Sequence, residues 1–571
     1  MRDDSLALCT IVRFKPIPES KVPLVHTHLI DCVPNFVTAL MDPARINREI
    51  FKAFKARGLS LRADASKALQ RVLIHEDDAQ AALSSVLEAI KERIEKKDIQ
   101  STVIDLASIE AIVVALSSTD EDLSSEATQL FDAYESPRVE FDERQRAYRV
   151  IPNPTFQLHG PAESKAKMFR ERLIFIQQRL LRSSNGRFKL RSLGASKTDD
   201  EIELSSIDSL LGNVEERVLL GYLVMPSEDS YYLEDLTGLI PLDLSTMEVD
   251  RQVFMRRLFT LGTIVIVEGK LSEGVFHVKA FAMPPAEKRM ITLNAMNVVD
   301  TFGTGTRQDQ SEHMRNLEES AHDTLFVVMS DVAMDKAYVM EKLQTVLEGY
   351  EACGVDPLFI LIGSFTSRPY LQKGAREEIK SIFKNLATII CSCPRLSQNA
   401  KFLLVPGPED PGMGSVLPRR KIPDIFVQEL QDKVPHLTFA SNPCRIRFYT
   451  QEIVILRENL LEKMQRMSII DQFQMHEYEE EGVEVSQTLS QTILDQAHLA
   501  PLPLPNRPIY WELDHAMRLT PLPHLLILAD KARQYHHEYC DCSVVNPGPF
   551  SSDFSFIAYR PSTRSVEFSR V

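Results

Sequence analysis

Four short runs of apolar, β-favouring residues constrain this chain more than anything else in it. They are Leu325-Phe-Val-Val-Met-Ser-Asp331, Leu358-Phe-Ile-Leu-Ile-Gly-Ser364, Phe402-Leu-Leu-Val-Pro-Gly-Pro-Glu-Asp410 and Leu525-Leu-Ile-Leu-Ala-Asp530. Helical patterns, such as those at 341–350 and 376–391, fall between them. Runs of this length with no polar alternation read as strands buried on both faces of an α/β sheet. In such sheets ligands gather where the carboxyl ends of the strands meet the loops. Asp331, Ser364, Asp410 and Asp530 are therefore the places to look for chemistry.

At 571 residues the chain is too long for one core, so several domains are expected. Its 65 basic and 80 acidic residues leave a formal charge of −15, which favours protein partners over a direct grip on a nucleic-acid backbone. Apolar runs never exceed about eight residues, too few for a membrane-spanning helix. The eight cysteines include two C-x-C pairs, Cys391/Cys393 and Cys540/Cys542. That is not the C-x-x-C spacing of common zinc sites, and free thiols in a reducing compartment are expected.

Along the chain, residues 1–41, broken by Pro16, Pro18, Pro23 and Pro34, read as disordered or as an extension. Residues 42–117 read as an all-helical domain. Its apolar stripes are Ile46/Ile50/Phe54, Leu69/Val72/Leu73, Val86/Leu87/Ile90/Ile94 and Ile109/Ile112/Val113/Leu116. Residues 118–160 combine an acidic, serine-rich tether with irregular strands near Val139, Phe141 and Tyr148. Residues 161–199 hold a helix with Phe169, Leu173, Ile176 and Leu180 on one face. The segment 163–191 carries nine Lys or Arg against two Glu, and reads as a solvated basic face, with a DNA-facing patch as the alternative.

Residues 200–284 contain five strand candidates, 218–224, 231–234, 239–244, 263–268 and 275–281, a spacing that resembles an OB fold. The stretch 214–284 carries six basic and eleven acidic residues, so its groove would repel phosphate; a protein-binding or structural barrel is expected. Residues 285–322 read as a linker whose Phe302-Gly-Thr-Gly305 lacks the phosphate-cradling pattern. Residues 323–571 form the body, with paired strands at 445–449 and 452–456 and a closing hairpin at 554–559 and 565–568.

The order of strand-end loops in the body resembles that of the calcineurin-like metallophosphoesterases, whose loops read Asp-x-His, Gly-Asp, Gly-Asn-His, a lone His and Gly-His-x-His. Asp331 matches the first acid, but Ala333 stands at the following His. Ser364 replaces the bridging Asp, Pro408 the Asn and Glu409 the next His; Asp410 follows, and His498 matches the lone His. The last loop becomes Asn546-Pro-Gly-Pro-Phe550 with neither His. A two-metal hydrolase needs carboxylates and imidazoles around both cations, one of them bridging, so no catalytic residue, metal ligand or cofactor is expected here.

An inactive phosphoesterase joined to an OB fold resembles the B-type accessory subunits of replicative DNA polymerases. Within that family, Val405-Pro-Gly-Pro-Glu-Asp-Pro-Gly412, Phe439-Ala-Ser-Asn-Pro-Cys-Arg-Ile446 and Gln496-Ala-His-Leu-Ala-Pro-Leu-Pro503 are most like the epsilon branch. The resemblance runs from about Met41 to the end. It implies a multidomain α+β fold: an N-terminal helical domain, an OB-fold β-barrel and a C-terminal, degenerate calcineurin-like phosphoesterase α/β sandwich. It further implies a non-catalytic nuclear scaffold that binds the cysteine-rich tail of the polymerase epsilon catalytic subunit. The helical domain would dock on the GINS component of the replicative helicase, and DNA would be met mainly through the complex. The alternatives are the B-type accessory subunit of polymerase alpha or delta, or an active metallophosphoesterase with atypical ligands.

Overall fold

The computed structural model describes residues 128–571 apart from 152–156, 158, 184–187, 191–201, 213–214, 228–229, 246, 248–255, 297–301, 303–311, 371–373, 413–414 and 470–483; before 128 it describes Ala127 and scattered positions between Ile50 and Ile109. The chain divides into two compact units, Met1–Ala127 and Thr128–Val571. In the first, Ile50, Phe54, Leu69, Leu83, Val86, Leu87, Ile90, Ile104 and Ile109 share one buried core. The unit is not all-helical: Ser60–Leu61 and Val103–Ile104 pair as a short parallel ladder. The β-branched Val103 and Ile104 favour that extended backbone. Ile46, Val72, Leu73, Ile94, Ile112, Val113 and Leu116, the extension 1–41 and the tether 117–126 lie outside the described residues.

The second unit opens with β1 (Thr128–Asp132), then β2 (Arg138–Asp142) and β3 (Ala147–Ile151). These are regular strands, which corrects the expectation of irregular ones at 118–160. β2 and β3 form an antiparallel hairpin. The Asp142 carboxylate fixes its turn by accepting from the Arg144 and Gln145 backbone N–H groups at 2.9 and 3.1 Å. α1 (Ala162–Ser183) follows.

After β4 (Phe188–Leu190) and β5 (Ile202–Ser205) comes a barrel of β6 (Arg217–Ser227), β7 (Ser230–Glu234), β8 (Leu239–Asp243), β9 (Ile264–Ser272) and β10 (Val275–Ala282). It closes because β9 pairs with both β10 and β6, giving the cycle β6-β7-β8-β10-β9. Leu219, Leu223, Leu233, Val265, Val267, Phe276 and Val278 point inward and are fully buried. A closed barrel must bend its strands sharply, and β9 does so at a bulge between Glu268 and Gly269. A Cβ on Gly269 would sit 2.2 Å from the His277 carbonyl oxygen, so only glycine fits. The apolar face of α1 packs outside this barrel, with Leu173, Ile176 and Leu180 against Leu204, Leu220, Tyr222 and Ile264.

The body holds two six-stranded sheets. The first has β11 (Phe326–Met329), β12 (Leu358–Ile362), β13 (Lys401–Val405) and β14 (Leu437–Phe439) in parallel, then antiparallel β20 (Ser555–Arg560) and β21 (Ser565–Arg570) beyond β11. The second is ordered β18 (Tyr535–Tyr539), β19 (Cys542–Asn546), β17 (Leu525–Ala529), β16 (Gln451–Arg457), β15 (Cys444–Phe448) and β1. The first three apolar runs thus lie side by side in one sheet, while the fourth belongs to the other.

Alternation along the strands explains the layering. Val327, Met329, Phe359, Leu361, Phe402 and Leu404 pack against helices α2 (Ala337–Cys353), α3 (Ala375–Cys391) and α4 (Asp424–Lys433). Their neighbours Phe326, Val328, Ile360 and Leu403 are equally buried, and Phe326 meets Phe448 of the second sheet edge-on at 5.6 Å between ring centres. On the far side Val454, Leu456, Leu526, Leu528 and Val544 pack with α5 (Leu460–Arg466) and α6 (Val485–Asp495). The result is an α/β/β/α stack. Replacing Phe326 by Ala should cost about 3–5 kcal/mol, the usual penalty for emptying an aromatic site in a core. Chemical denaturation of the full chain checks this, and a loss below about 1 kcal/mol would show that the sheets do not meet through this ring.

Candidate functional site

The loops that follow β11, β12 and β13 converge, as the sheet geometry predicts. Asp331, just past β11, has a left-handed backbone (φ 56°), and its N–H donates to the Gly363 carbonyl at 3.3 Å. Its buried carboxylate accepts from Ser551 Oγ at 2.6 Å and from Arg457 Nη2 at 3.1 Å. Burial pushes this carboxyl up, but the Arg457 charge and the Ser551 bond outweigh it and hold the group below its ordinary range. Ala333 is buried, and its side chain offers no donor or ligand atom; its backbone N–H donates to the Asp331 carbonyl at 2.9 Å.

Ser364, after β12, accepts from the Glu409 N–H at 3.2 Å, so the second and third loops are stitched together. Asp410 does more of the same. Its two oxygens accept from the N–H groups of Phe365 and Gly407, each at 2.7 Å. Burial raises this carboxyl to about 6, against the two backbone donors that lower it. A Cβ at Gly363 would lie 1.9 Å from Asp410 Oδ2, so the loops close this tightly only with glycine there. Pro408 supplies no side-chain donor or acceptor to the stitch. Asp530, after β17, accepts from the N–H groups of Leu461 and Ala532 at 3.0 and 3.3 Å.

The residue at the centre is one that the sequence motifs do not mark. Arg457 ends β16, and its side chain has no exposed surface. Its Nε donates to the Gly363 carbonyl at 2.8 Å; Nη1 donates to Asn459 Oδ1 at 2.7 Å and to the Ala529 carbonyl at 3.2 Å; Nη2 takes Asp331. Buried Asn442 fixes its backbone from both sides, accepting from Arg457 N at 3.0 Å and donating to Arg457 O at 2.8 Å. The same Asn442 amide donates to the Pro406 carbonyl at 2.9 Å. One arginine and one asparagine therefore tie together the loops of both sheets.

Three family models match the chain. They are the DNA polymerases epsilon N terminal over residues 42–116, the OB-fold domain of DNA polymerase epsilon subunit 2-like proteins over 162–285, and the B-type subunit of DNA polymerases alpha and epsilon over 326–537. The human DNA polymerase epsilon subunit 2 is 34% identical over 540 residues, 93% of this chain and 99% of that one. The B-type subunit of DNA polymerase epsilon from Arabidopsis thaliana is 34% identical over 537 residues, 91% and 98% of the two chains. The chain belongs to the family of DNA polymerase epsilon subunit 2. It is an accessory subunit of a DNA-replication complex, not the catalytic one. An archaeal phosphodiesterase of known structure overlaps 43% of this chain and 99% of its own, at 11% identity and a TM-score of 0.23, a likeness too distant to argue from.

His498 is grouped elsewhere in the subunit. Its Nε2 lies 3.2 Å from Asp514 Oδ1, and its Nδ1 accepts from the Ala500 N–H at 3.1 Å. Asp514 also holds Arg172 and Arg518, and Arg518 reaches Glu171 at 2.6 Å. This corrects the reading of 163–191 in part: Lys165, Lys167 and Arg170 keep an exposed basic face on α1, while other cations of the helix are turned inward. Arg172 and Arg179 are buried, the first on Asp514 and the second donating to the carbonyls of Pro284, Leu494 and Asp495. Lys167, Arg170 and Arg182 pair with Glu140, Glu143 and Glu287. Cys540 and Asp541 form the turn of the β18–β19 hairpin and Cys542 opens β19, while the nearby His536 and His537 bond to Ser543 and Ser486.

The buried imidazoles give the subunit a defined acid sensitivity. Burial, helped by Arg172, pulls His498 down to about 4; burial and Arg518 do the same to His515. In the unfolded chain both titrate near 6.5. Between pH 6.5 and 4 the unfolded state therefore binds protons that the native state refuses, and stability falls as pH drops through that window. Each ring should cost about 2 kcal/mol by pH 5. His498→Gln should shrink the difference between unfolding free energies at pH 7 and pH 5 by about that amount; an unchanged difference would remove His498 from the account.

Proposed function

We propose that this subunit is a non-catalytic scaffold of the polymerase epsilon complex. Its body is a phosphoesterase-type sandwich whose pocket has been turned from metal chemistry to structure. The observation that carries this reading is the pairing of the strand-end carboxylates. Asp331 is taken by Arg457 and Ser551, Asp410 by two backbone N–H groups and Asp530 by two more. Two divalent ions would need those oxygens and several imidazoles free, and would have to share the space with a buried guanidinium. The residues present do not fit a metal pair. Among the described residues no three His, Cys, Asp or Glu side chains form a group that could hold an ion.

With chemistry set aside, contact is what remains. In this reading the OB fold and the body together hold the catalytic subunit through its cysteine-rich tail, and the N-terminal unit docks on GINS. The complex works in the nucleus, at initiation and in leading-strand synthesis, and DNA is reached mainly through the other subunits. The division of the chain at Ala127, with a separate core on the N-terminal side, supports two separable docking jobs. The acidic balance of 214–284 and the internal pairing of the α1 cations support protein rather than phosphate as the partner.

Affinity purification of the tagged full chain from replicating cells should bring down the catalytic subunit and GINS. Deleting residues 42–117 should release GINS and keep the catalytic subunit; losing both would show that the two jobs are not separable. The intact protein with Mn²⁺ should not turn over an activated phosphate ester. Metal-dependent turnover abolished by Asp331→Ala would replace the scaffold with an enzyme.

A further inference from the structure

Loss of metal ligands leaves the order of the cleft unexplained. Loops built around cations should fall apart when the cations go, because the oxygens that faced them are left facing one another. Here they do not fall apart. Four oxygens from different stretches of the chain, Asp331 Oδ1, the Gly363 carbonyl, the Ala529 carbonyl and Asn459 Oδ1, all point at one guanidinium. An all-oxygen shell of carboxylate, carbonyl and amide is the shell a hard divalent ion would take. A planar fork with five N–H donors can serve the same oxygens and cannot be deprotonated in a protein.

We infer that Arg457 is the resident cation of this cleft, a side chain that replaces the metal centre as the charge and the tie on which the strand-end loops are assembled. This rests on the reading of the body as a phosphoesterase-type sandwich that does no chemistry. Three further features agree with it. Arg457 is the largest of the fully buried side chains among the described residues, and with no share of solvent its charge must be met by these loops. Asp331 adopts a left-handed backbone conformation, unfavourable for a non-glycine residue, in the arrangement that puts its carboxylate on the guanidinium. Asn442 clamps the Arg457 backbone on both its N–H and its carbonyl, so the fork is aimed before the loops close on it. Arg457 is thus a positioning residue for the loops.

The test uses the full-length protein and reads thermal midpoint together with cation binding. Wild type should be indifferent to Mn²⁺ and to EDTA. Arg457→Ala should lower the midpoint by more than about 5 °C, since it strands buried oxygens and an unpaired carboxylate. Methylguanidinium at tens of millimolar should restore part of that loss, and methylammonium should restore less, because only the planar ion reproduces the fork. Asp331→Asn should cost several degrees in wild type and little in the Arg457→Ala background, as expected of coupled partners. If Arg457→Ala does not fold, Arg457→Lys carries the test, with a lowered midpoint and the same non-additivity with Asp331→Asn expected.

An unmoved midpoint, additive effects of the two substitutions, or equal rescue by the two small ions would overturn the inference while leaving the scaffold reading in place. Stoichiometric Mn²⁺ binding by wild type, with Arg457 intact, would instead overturn the reading on which it rests.

Discussion

A positive charge sealed from water has to be matched by its immediate surroundings, and in the body of this protein that requirement organises the loops. Arg457 sits at the carboxyl end of β16, in the second sheet, yet its partners come from the first sheet as well as its own. Hydrophobic burial brings the two sheets together through rings such as Phe326 and Phe448, but it is non-directional and would tolerate small slides between layers. The guanidinium tolerates none, since each of its donors needs an oxygen in a particular direction. Apolar packing gives the stack its cohesion, and the buried arginine gives it its register.

The same division of labour recurs across the unit. Glu452 lies between Arg289 and Arg445, and the two arginine charges hold it ionised against a burial that alone would protonate it. Glu458 lies among Arg507, Arg419 and Lys463. Asp514 and Glu171 join α1 to the segment 511–518 through Arg172 and Arg518. Such pairs are a poor source of net stability, because desolvation consumes most of the attraction. Removing one partner is costly all the same. They are therefore better understood as fasteners that reject wrong arrangements of elements distant in sequence.

Some of this is legible in the sequence, and the boundary follows the range of the signals. The four apolar runs of the body and the five strands of the barrel are local patterns of side-chain type, and each appears as a strand, two of the barrel strands running three or four residues further than expected. The apolar face of α1, spaced four, three and four residues apart, likewise found its barrel. Non-local pairing was hidden. Thr128–Asp132 has little apolar character, and only its partner Cys444–Phe448, from the far end of the chain, makes it an edge strand. Arg457 escapes notice because a charge at the end of an apolar run reads as the point where the strand meets water. Its position at a strand's carboxyl end, like Asp331, Ser364 and Asp530, was the available clue. The basic count on α1 misleads for a related reason: composition gives the charges but not their partners.

The barrel shows how far a fold's usual trade can be set aside by what covers it. Barrels of this kind that hold single strands present aromatic rings as stacking platforms beside a cationic groove. In this one Phe259, Phe276 and Phe281 belong to the interior. Tyr222 lies under α1, edge-on to Phe169 at 5.4 Å, with its hydroxyl donating to the Phe169 carbonyl at 2.9 Å. The helix that would otherwise supply the cations has spent Arg172 and Arg179 on fastening itself to the body, and Lys167 and Arg170 on the β2–β3 hairpin and its turn. What faces outward on the barrel includes Met225, Leu236 and Leu239, half exposed, next to Glu234 and Asp235. Met225 and Leu236 share one hollow with Glu234, Asp235 and, from α1, Lys165 and Arg170, so the surface carries both signs of charge and lacks the uniformly cationic groove that a phosphate backbone selects.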